Sequence, residues 1–269
     1  MLAQQKVLLC VDIGNSNIAI GAYVHSELAS RWRLSTRVDK TADEYEIDIR
    51  ALLGLATRDS MAMAVMAVSD AVISSVVPSL TATLAQTCRN LSGKDPLVVT
   101  PATRTGLTFE IDNPREIGSD LIANAVAGLH RYRSNCIIVD FGTALSFTVV
   151  TADARLLGVS IAPGVHAAMD ALSRNTDQLP HVPLVMPSSA IGKNTIHAIQ
   201  SGVLFGYLGL VEALIGRIKE EVPGGATVVA TGGLSQLLAP NYQLVDHVEP
   251  WLTLDGLRLL AEMNGWSPA

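Results

Sequence analysis

Apolar residues fall along this chain in two rhythms. The runs KVLLCVDIG (6–14), DAVISSVV (70–77), NCIIVDFG (135–142) and ATVVATGG (226–233) are nearly continuous, of strand length, and bounded by glycine, proline or polar residues. That pattern predicts strands buried on both faces. IAIGAYV (18–24), LASRWRLST (28–36), ALSFTVVT (144–151) and LLGVSIAPG (156–164) follow after short turns and predict strands folded back on the first and third runs. PLVVT (96–100) and QLVDHVEP (243–250) read as further strands, the second at an edge. Helical spacing appears in TADEYEIDIRALLGLA (41–56), with Thr41 as N-cap, and in SLTATLAQTCRNLSG, which Gly93 ends. It recurs in GSDLIANAVAGLHRY (118–132), HAAMDALSRN (166–175), a long helix from Thr195 to just before Pro223, LSQLLA (234–239) and LTLDGLRLLAEMN (252–264).

The order then repeats. Three strands in a meander, helix, strand, helix, strand occurs twice, which predicts an α/β chain of two related halves. The loop 101–116 holds Pro101, Gly106, Asn113 and Pro114, and the expected division is 1–116 and 117–269. Each half opens on a strand that ends in Asp-x-Gly and a small polar residue: VDIGNSN from Val11 and VDFGT from Val139.

Bulk properties narrow the function. The chain has 269 residues, 49% hydrophobic and 16% charged, with mean hydropathy +0.34, as in a folded globular protein. Aromatics make up 4% and the formal charge is −6, which argues against a nucleic-acid partner. Cys10, Cys88 and Cys136 are scattered without Cys-x-x-Cys spacing, consistent with a reducing, cytoplasmic setting. The amino-terminal run meets Asp12 too early to be a signal peptide. The apolar region 61–77 is broken by Ser69 and Asp70, so no membrane association is expected.

The candidate chemistry lies in the repeated turns. An Asp at the end of a buried strand is costly unless a cation or donors face it. The turn Asp12 to Asn17 offers successive N–H groups and short polar side chains suited to phosphate oxygens, with Asp12 placed for magnesium. The same residues also suit an ordinary hairpin. Asp140, Gly142 and Thr143 repeat the device, and the ATGGL run brings Gly232 and Gly233, bare where a flat nucleoside would approach. These features predict a nucleotide cleft between two lobes. Other nucleotide motifs fail: around Lys193, the Walker pattern meets Pro187 where it needs Gly and Asn194 where it needs Ser or Thr, and no GxGxxG follows a strand. The six histidines show no zinc spacing, and there is no GxSxG elbow. Asp120, in the first turn of its helix, is a candidate base, although an acidic residue favouring the helix N-terminus is the commoner use of an Asp in that position. Gly202, Gly206 and Gly209 mark either a tight intrachain packing face or a homodimer seam.

Taken together, DIGNSNIAIGAY, WRLSTRVDKTADEY, ISSVVPSL, IDNPREIGSDLIANAVAG, VDFGTA, IAPGVHAAMDAL, IGKNTIHAIQSGVLFGYLGLVEALI, ATGGLS and LTLDGLRLL resemble the type III pantothenate kinase family nearly end to end. The resemblance implies two duplicated actin-like (ribonuclease H-like) domains of the acetate kinase, sugar kinase and actin superfamily, with the active site in the cleft between them. It implies transfer of phosphate from ATP to pantothenate, the first step toward coenzyme A, with magnesium, a monovalent cation (potassium or ammonium), and a homodimer. Position by position, it implies that Asp12, Ile13, Gly14, Asn15, Ser16, Asn17, Ile18 and Ala19 form the first phosphate loop, and that Thr143 touches ATP. Gly118, Ser119, Asp120, Leu121 and Thr195 fall at the pantothenate site, Asp120 as general base and Asp140 as ligand of the monovalent cation. Three positions depart from the family pattern: Leu121 stands where an Arg is usual, Leu145 where a Thr is usual, and Thr148 where an Asp is usual. Alternative readings are a kinase of the same fold for another small hydroxy acid or amide, and a weakly active nucleotide-binding regulator.

Overall fold

The computed structural model describes residues 6–59, 67–174 and 182–267. His181, the first part of the apolar region 61–77, Asn175 and the first residues of the proline-containing loop near 180 lie outside them. The chain forms two compact units, each discontinuous in sequence. The first comprises Met1–Leu107, Asp112–Ala127 and Leu252–Ala269, and the second Thr108–Ile111 and Gly128–Trp251. This partition differs from a single cut at 116/117: the segment carrying Asp120 and the closing helix both belong to the first unit.

In the first unit, β1 (Lys6–Ile13), β2 (Asn17–Val24) and β3 (Glu27–Ser35) form an antiparallel meander. Helix α1 (Ala42–Asp59) leads to β4 (Ala67–Ser75), which pairs in parallel with β1; α2 (Pro78–Ser92) leads to β5 (Leu97–Val98). The sheet order is β3-β2-β1-β4-β5. Val7, Leu9, Val11 and Ile13 alternate onto one face and pack with Tyr45, Ile49, Leu80 and Leu84 of α1 and α2. Leu8 and Cys10, on the other face, are equally buried, which explains the unbroken apolar run. Local rules set the helix ends. Glu44 accepts from the Thr41 N–H at 2.8 Å while the Glu44 N–H donates back to Thr41 Oγ1 at 3.3 Å, a capping box. Pro78 opens α2, and Gly93 closes it at φ 73°. The closing helix α7 (Leu252–Met263) lies on the Leu8 side of this sheet, touching β1, β2 and β4. Helix α3 (Ser119–Tyr132) starts in this unit.

The second unit repeats the plan with β7 (Cys136–Phe141), β8 (Ala144–Val150), β9 (Arg155–Pro163), β10 (Thr227–Thr231) and β11 (His247–Val248). The two-residue strand β6 (Thr108–Phe109) adds to its edge, within a segment expected to be loop, and gives the order β11-β10-β7-β8-β9-β6. α4 (Val165–Arg174) and α5 (Thr195–Glu221) intervene between β9 and β10, and the one-turn α6 (Ser235–Leu238) follows β10. By length and apolarity α5 alone would pass for a membrane span among the described residues. Its Leu204, Tyr207, Val211 and Ile215 are instead packed with Ile137, Val139 and Phe147 in the core of this unit. The expected strand 243–250 shrinks to two residues because Asp246 replaces part of the ladder: its carboxylate accepts from the Val228 N–H at 2.8 Å. Both units thus carry the same five-strand order, 3-2-1-4-5 about the first strand of each, which is the actin-like, ribonuclease H-like duplication.

Candidate functional site

In the first unit, the turn after β1 is held on three sides. The Gly14 N–H donates to Asn17 O at 3.0 Å, Thr36 Oγ1 donates to Gly14 O at 2.7 Å, and the Val76 N–H donates to Ile13 O at 3.0 Å. A Cβ on Gly14 would sit 3.0 Å from Asn17 O, so the turn admits no side chain there without shifting. Ile13 and Ile18 are buried and anchor the hairpin, while Asn15, Ser16 and Asn17 are exposed at its tip and Asp12 and Ala19 are half-buried in register with each other. Strand pairing therefore fixes the base of the turn and leaves its polar tip open to a ligand.

Asp120 is positioned by a second set of contacts in the same unit. Ser119, at the start of α3, is buried; its Oγ lies 2.9 Å from Ser74 Oγ and accepts from the Ser75 N–H at 2.9 Å. Asp120 Oδ1 accepts from the Leu121 N–H at 2.9 Å. The carboxylate also lies against Gly118, where any Cβ would collide with Oδ1. Burial raises the Asp120 carboxyl above the ordinary carboxylate range, opposed in part by backbone N–H donors. Leu121 is buried, so the side chain at the family's Arg position contributes apolar packing.

In the second unit, Asp140 is the last polar residue of β7, opposite Ser146 of β8 and Thr231 of β10. The hairpin that follows closes with the Gly142 N–H donating to Ala144 O at 3.1 Å, and the Gly164 N–H donating to Thr143 O at 3.1 Å. Thr143 is exposed. Gly232 has φ 91°, and a Cβ there would overlap Asp140 Oδ1. The missing side chain at Gly232 is thus explained first by the Asp140 carboxylate, whereas the sequence had suggested an approaching nucleoside. Gly233 is exposed beside it. Thr231 Oγ1 and Thr148 Oγ1 are buried and have no hydrogen-bond partner among the described residues. Leu145 is buried and lines, with Phe141, Gly164, Val165 and Tyr207, an apolar crevice behind the hairpin. Thr195 is the exposed first residue of α5, whose N-cap Asn194 accepts from the His197 N–H at 2.9 Å.

The expected site residues therefore divide between the units. Asp12–Ala19 and Gly118–Leu121 belong to the first, and Asp140, Thr143, Thr195, Gly232 and Gly233 to the second. Sequence reading missed Ser74 and Thr231. The signal for Ser74 was a pair of serines in an apolar strand, ISSVV, where a buried hydroxyl demands a partner.

The oxygen-only donor sets suit hard cations. Asp12 beside the open turn fits magnesium, which keeps several waters and takes few protein ligands. Asp140 with the orphaned Thr231 hydroxyl in the opposite register position fits a monovalent cation.

Comparison with known proteins agrees with the fold and identifies the family. Two solved structures share the architecture over nearly the whole chain. A Baf family transcriptional activator from Campylobacter jejuni matches at TM-score 0.57 and 17% identity, covering 95% of this chain and 98% of that one. The ethanolamine utilization protein EutJ from Carboxydothermus hydrogenoformans matches at TM-score 0.52 and 13% identity, covering 94% and 89%. At these identities the likeness speaks for the fold alone. Sequence relatives are closer. The type III pantothenate kinase of Roseiflexus sp. (strain RS-1) is 45% identical over 258 residues, covering 96% of this chain and 99% of that protein. The type III pantothenate kinase of Geobacter sulfurreducens is 43% identical over the same length and coverage. The family profile described as type III pantothenate kinase matches residues 8–217, which include both Asp-x-Gly turns, Asp120 and Thr195. This chain belongs to the type III pantothenate kinase family.

Proposed function

We propose that the protein transfers the γ-phosphoryl group of ATP to the hydroxyl of pantothenate, giving 4'-phosphopantothenate and ADP at the start of coenzyme A synthesis. The observation that carries this reading is the half-buried, backbone-oriented Asp120 carboxylate in a chain that matches a type III pantothenate kinase over 96% of its length. Asp120 accepts the proton of the substrate hydroxyl as its oxygen bonds to phosphorus and the bond to the ADP oxygen breaks. Such a base acts chiefly by orientation, because phosphoryl transfer needs alignment and charge stabilisation more than covalent help. The N–H groups and polar tip of residues 12–19 hold phosphate oxygens, and Thr143, Gly232 and Gly233 contact the nucleotide. Magnesium at Asp12 would neutralise phosphate charge, and potassium or ammonium would be held by Asp140 with Thr231. Gly118 to Leu121 and Thr195 receive pantothenate.

Cytoplasmic localisation and a homodimer complete the proposal. Gly202, Gly206 and Gly209 are exposed on one side of α5, and a Cβ at any of them would meet nothing within 4 Å. That bare face suits close approach of the same helix from a second copy. One observation favours a different acceptor: buried Leu121 makes its position apolar, so another small hydroxy acid or amide is the second reading. Phosphorus NMR of a mixture of ATP, magnesium, potassium and pantothenate tests the first. A new phosphomonoester resonance that matches authentic 4'-phosphopantothenate supports it; its absence, with a new phosphomonoester resonance when another small hydroxy acid replaces pantothenate, supports the second.

A further inference from the structure

The strand β4 places Ser74 between the two carboxylates to which the proposed reaction assigns work in the first unit. In the parallel register of β1 and β4, Ser74 lies beside Asp12. Val11 and Ile13 flank Asp12, and Ile73 precedes Ser74; all three enter the core beneath α1 and α2. By strand alternation Asp12 and Ser74 therefore share the opposite face. Ser74 is fully buried, and its Oγ lies 2.9 Å from Ser119 Oγ, the side chain immediately before Asp120. Ser119 Oγ is further tied to β4 by the Ser75 N–H at 2.9 Å and Ser75 O at 3.3 Å. A serine at a helix start usually turns its hydroxyl onto its own helix N–H groups; here it reaches back to the strand.

We infer that Ser74 is a positioning residue for phosphoryl transfer: through Ser119 it fixes the first turn of α3, and with it the Asp120 carboxylate, relative to Asp12 and the phosphate turn. This inference rests on the proposed role of Asp120 as base. Two local constraints make the coupling sensitive. Asp120 is confined between Gly118 and the Leu121 N–H, so it moves with the helix start and has little freedom of its own. A displacement of about 1 Å at a reacting group is enough to lower a rate on the order of a hundredfold. Removing the Ser74 hydroxyl leaves Ser119 with both of its Ser75 backbone contacts, so the fold is retained while one restraint on the helix start is lost.

The experiment is a mutant cycle on the full chain with pantothenate and ATP. Ser74→Ala is expected to lower kcat about tenfold, with KM for ATP unchanged, while Ser74→Thr, which keeps a hydroxyl, recovers much of the rate. Asp120→Asn is expected to lose turnover far more deeply. Introduced into that variant, Ser74→Ala should change the residual rate less than twofold, because the group it positions has gone. Melting temperatures of all variants are measured alongside. Equal fold-losses from Ser74→Ala in the wild-type and Asp120→Asn backgrounds would overturn the inference, as would wild-type kcat in Ser74→Ala. Full turnover by Asp120→Asn would instead remove the role of Asp120 as base. If Ser74→Ala melts well below the wild type, Ser119→Thr, which retains the hydroxyl but crowds its contact with Ser74, provides the second comparison: an unchanged kcat there contradicts the coupling.

Discussion

Asp120 shows how one side chain proposed for catalysis can weaken the fold that holds it. Burial raises its carboxyl above the ordinary range, so the folded chain keeps the proton to a higher pH than the unfolded chain does. Between the unfolded value of about 3.9 and the raised folded value, the native state binds more protons. Stability therefore falls as pH rises through that window, and the deficit persists above it. Asp120→Asn carries no charge at any pH, so it should melt higher than the wild type at pH 7, with the gap closing below about pH 4, while turnover is lost. Thermal melts across that range check this; a variant that melts lower at pH 7 would contradict the desolvation argument. Gly232 supplies a second case. Its positive φ and its contact with Asp140 both exclude a side chain, so Gly232→Ala should displace the Asp140 carboxylate. The expected outcome is a weakened potassium-dependent rise in melting temperature, measured against choline chloride. Asp, Gly and Thr at the two strand ends stood out in the sequence because the turn repeats, although either turn alone also suits an ordinary hairpin. Their partners did not. Ser74 and Thr231 contact Asp-bearing segments across strand pairings, and registers are invisible in a linear string.

The elements themselves were written plainly in the sequence. Continuous apolar runs gave β1, β4, β7 and β10, because each is buried on both faces, and the capping box at Thr41 and Gly93 set two helix ends. The failures share a cause. β6 has two residues and exists only through pairing with β9, and β11 is cut short by the Asp246 side chain; neither carries a period long enough to read. Helix α7 was foreseen, but its docking was not. Gly256 lets it approach α3 so closely that a Cβ would collide with Ala123 O, and Thr253 Oγ1 donates to Asn124 Oδ1 at 2.9 Å at the same crossing. Gly256→Ala should therefore destabilise the protein by about 1–3 kcal/mol, as overpacking of a close contact does. Urea denaturation measures the loss, and an unchanged midpoint would show that the helices can part without cost. On the other side of α7, Tyr23 donates to Asp255 Oδ1 at 2.6 Å from a fully buried ring. Tyr23→Phe leaves that carboxylate without this donor and should cost about 1–3 kcal/mol in the same assay.

Duplication organises the chain as a whole: a five-strand sheet and a six-strand sheet share one five-strand order, and the first strand of each ends in an Asp-x-Gly turn. The repeat was readable because both copies keep the same order of strands, although the second inserts two helices where the first has one. The partition was not, since Asp112–Ala127 and Leu252–Ala269 join the first unit, a matter of packing that periodicity does not encode. The exposed glycines of α5 bear on assembly. Gly206→Arg should convert the proposed dimer to a monomer in light scattering while leaving the circular dichroism spectrum unchanged; a persistent dimer would place the seam elsewhere. Catalysis by the whole chain is decided by ADP release from purified protein supplied with ATP, magnesium and potassium, with and without pantothenate, beside the Asp120→Asn variant. The account predicts ADP release that depends on pantothenate and disappears in the variant. ATP binding without pantothenate-stimulated ADP release, or stimulation that survives Asp120→Asn, would contradict it.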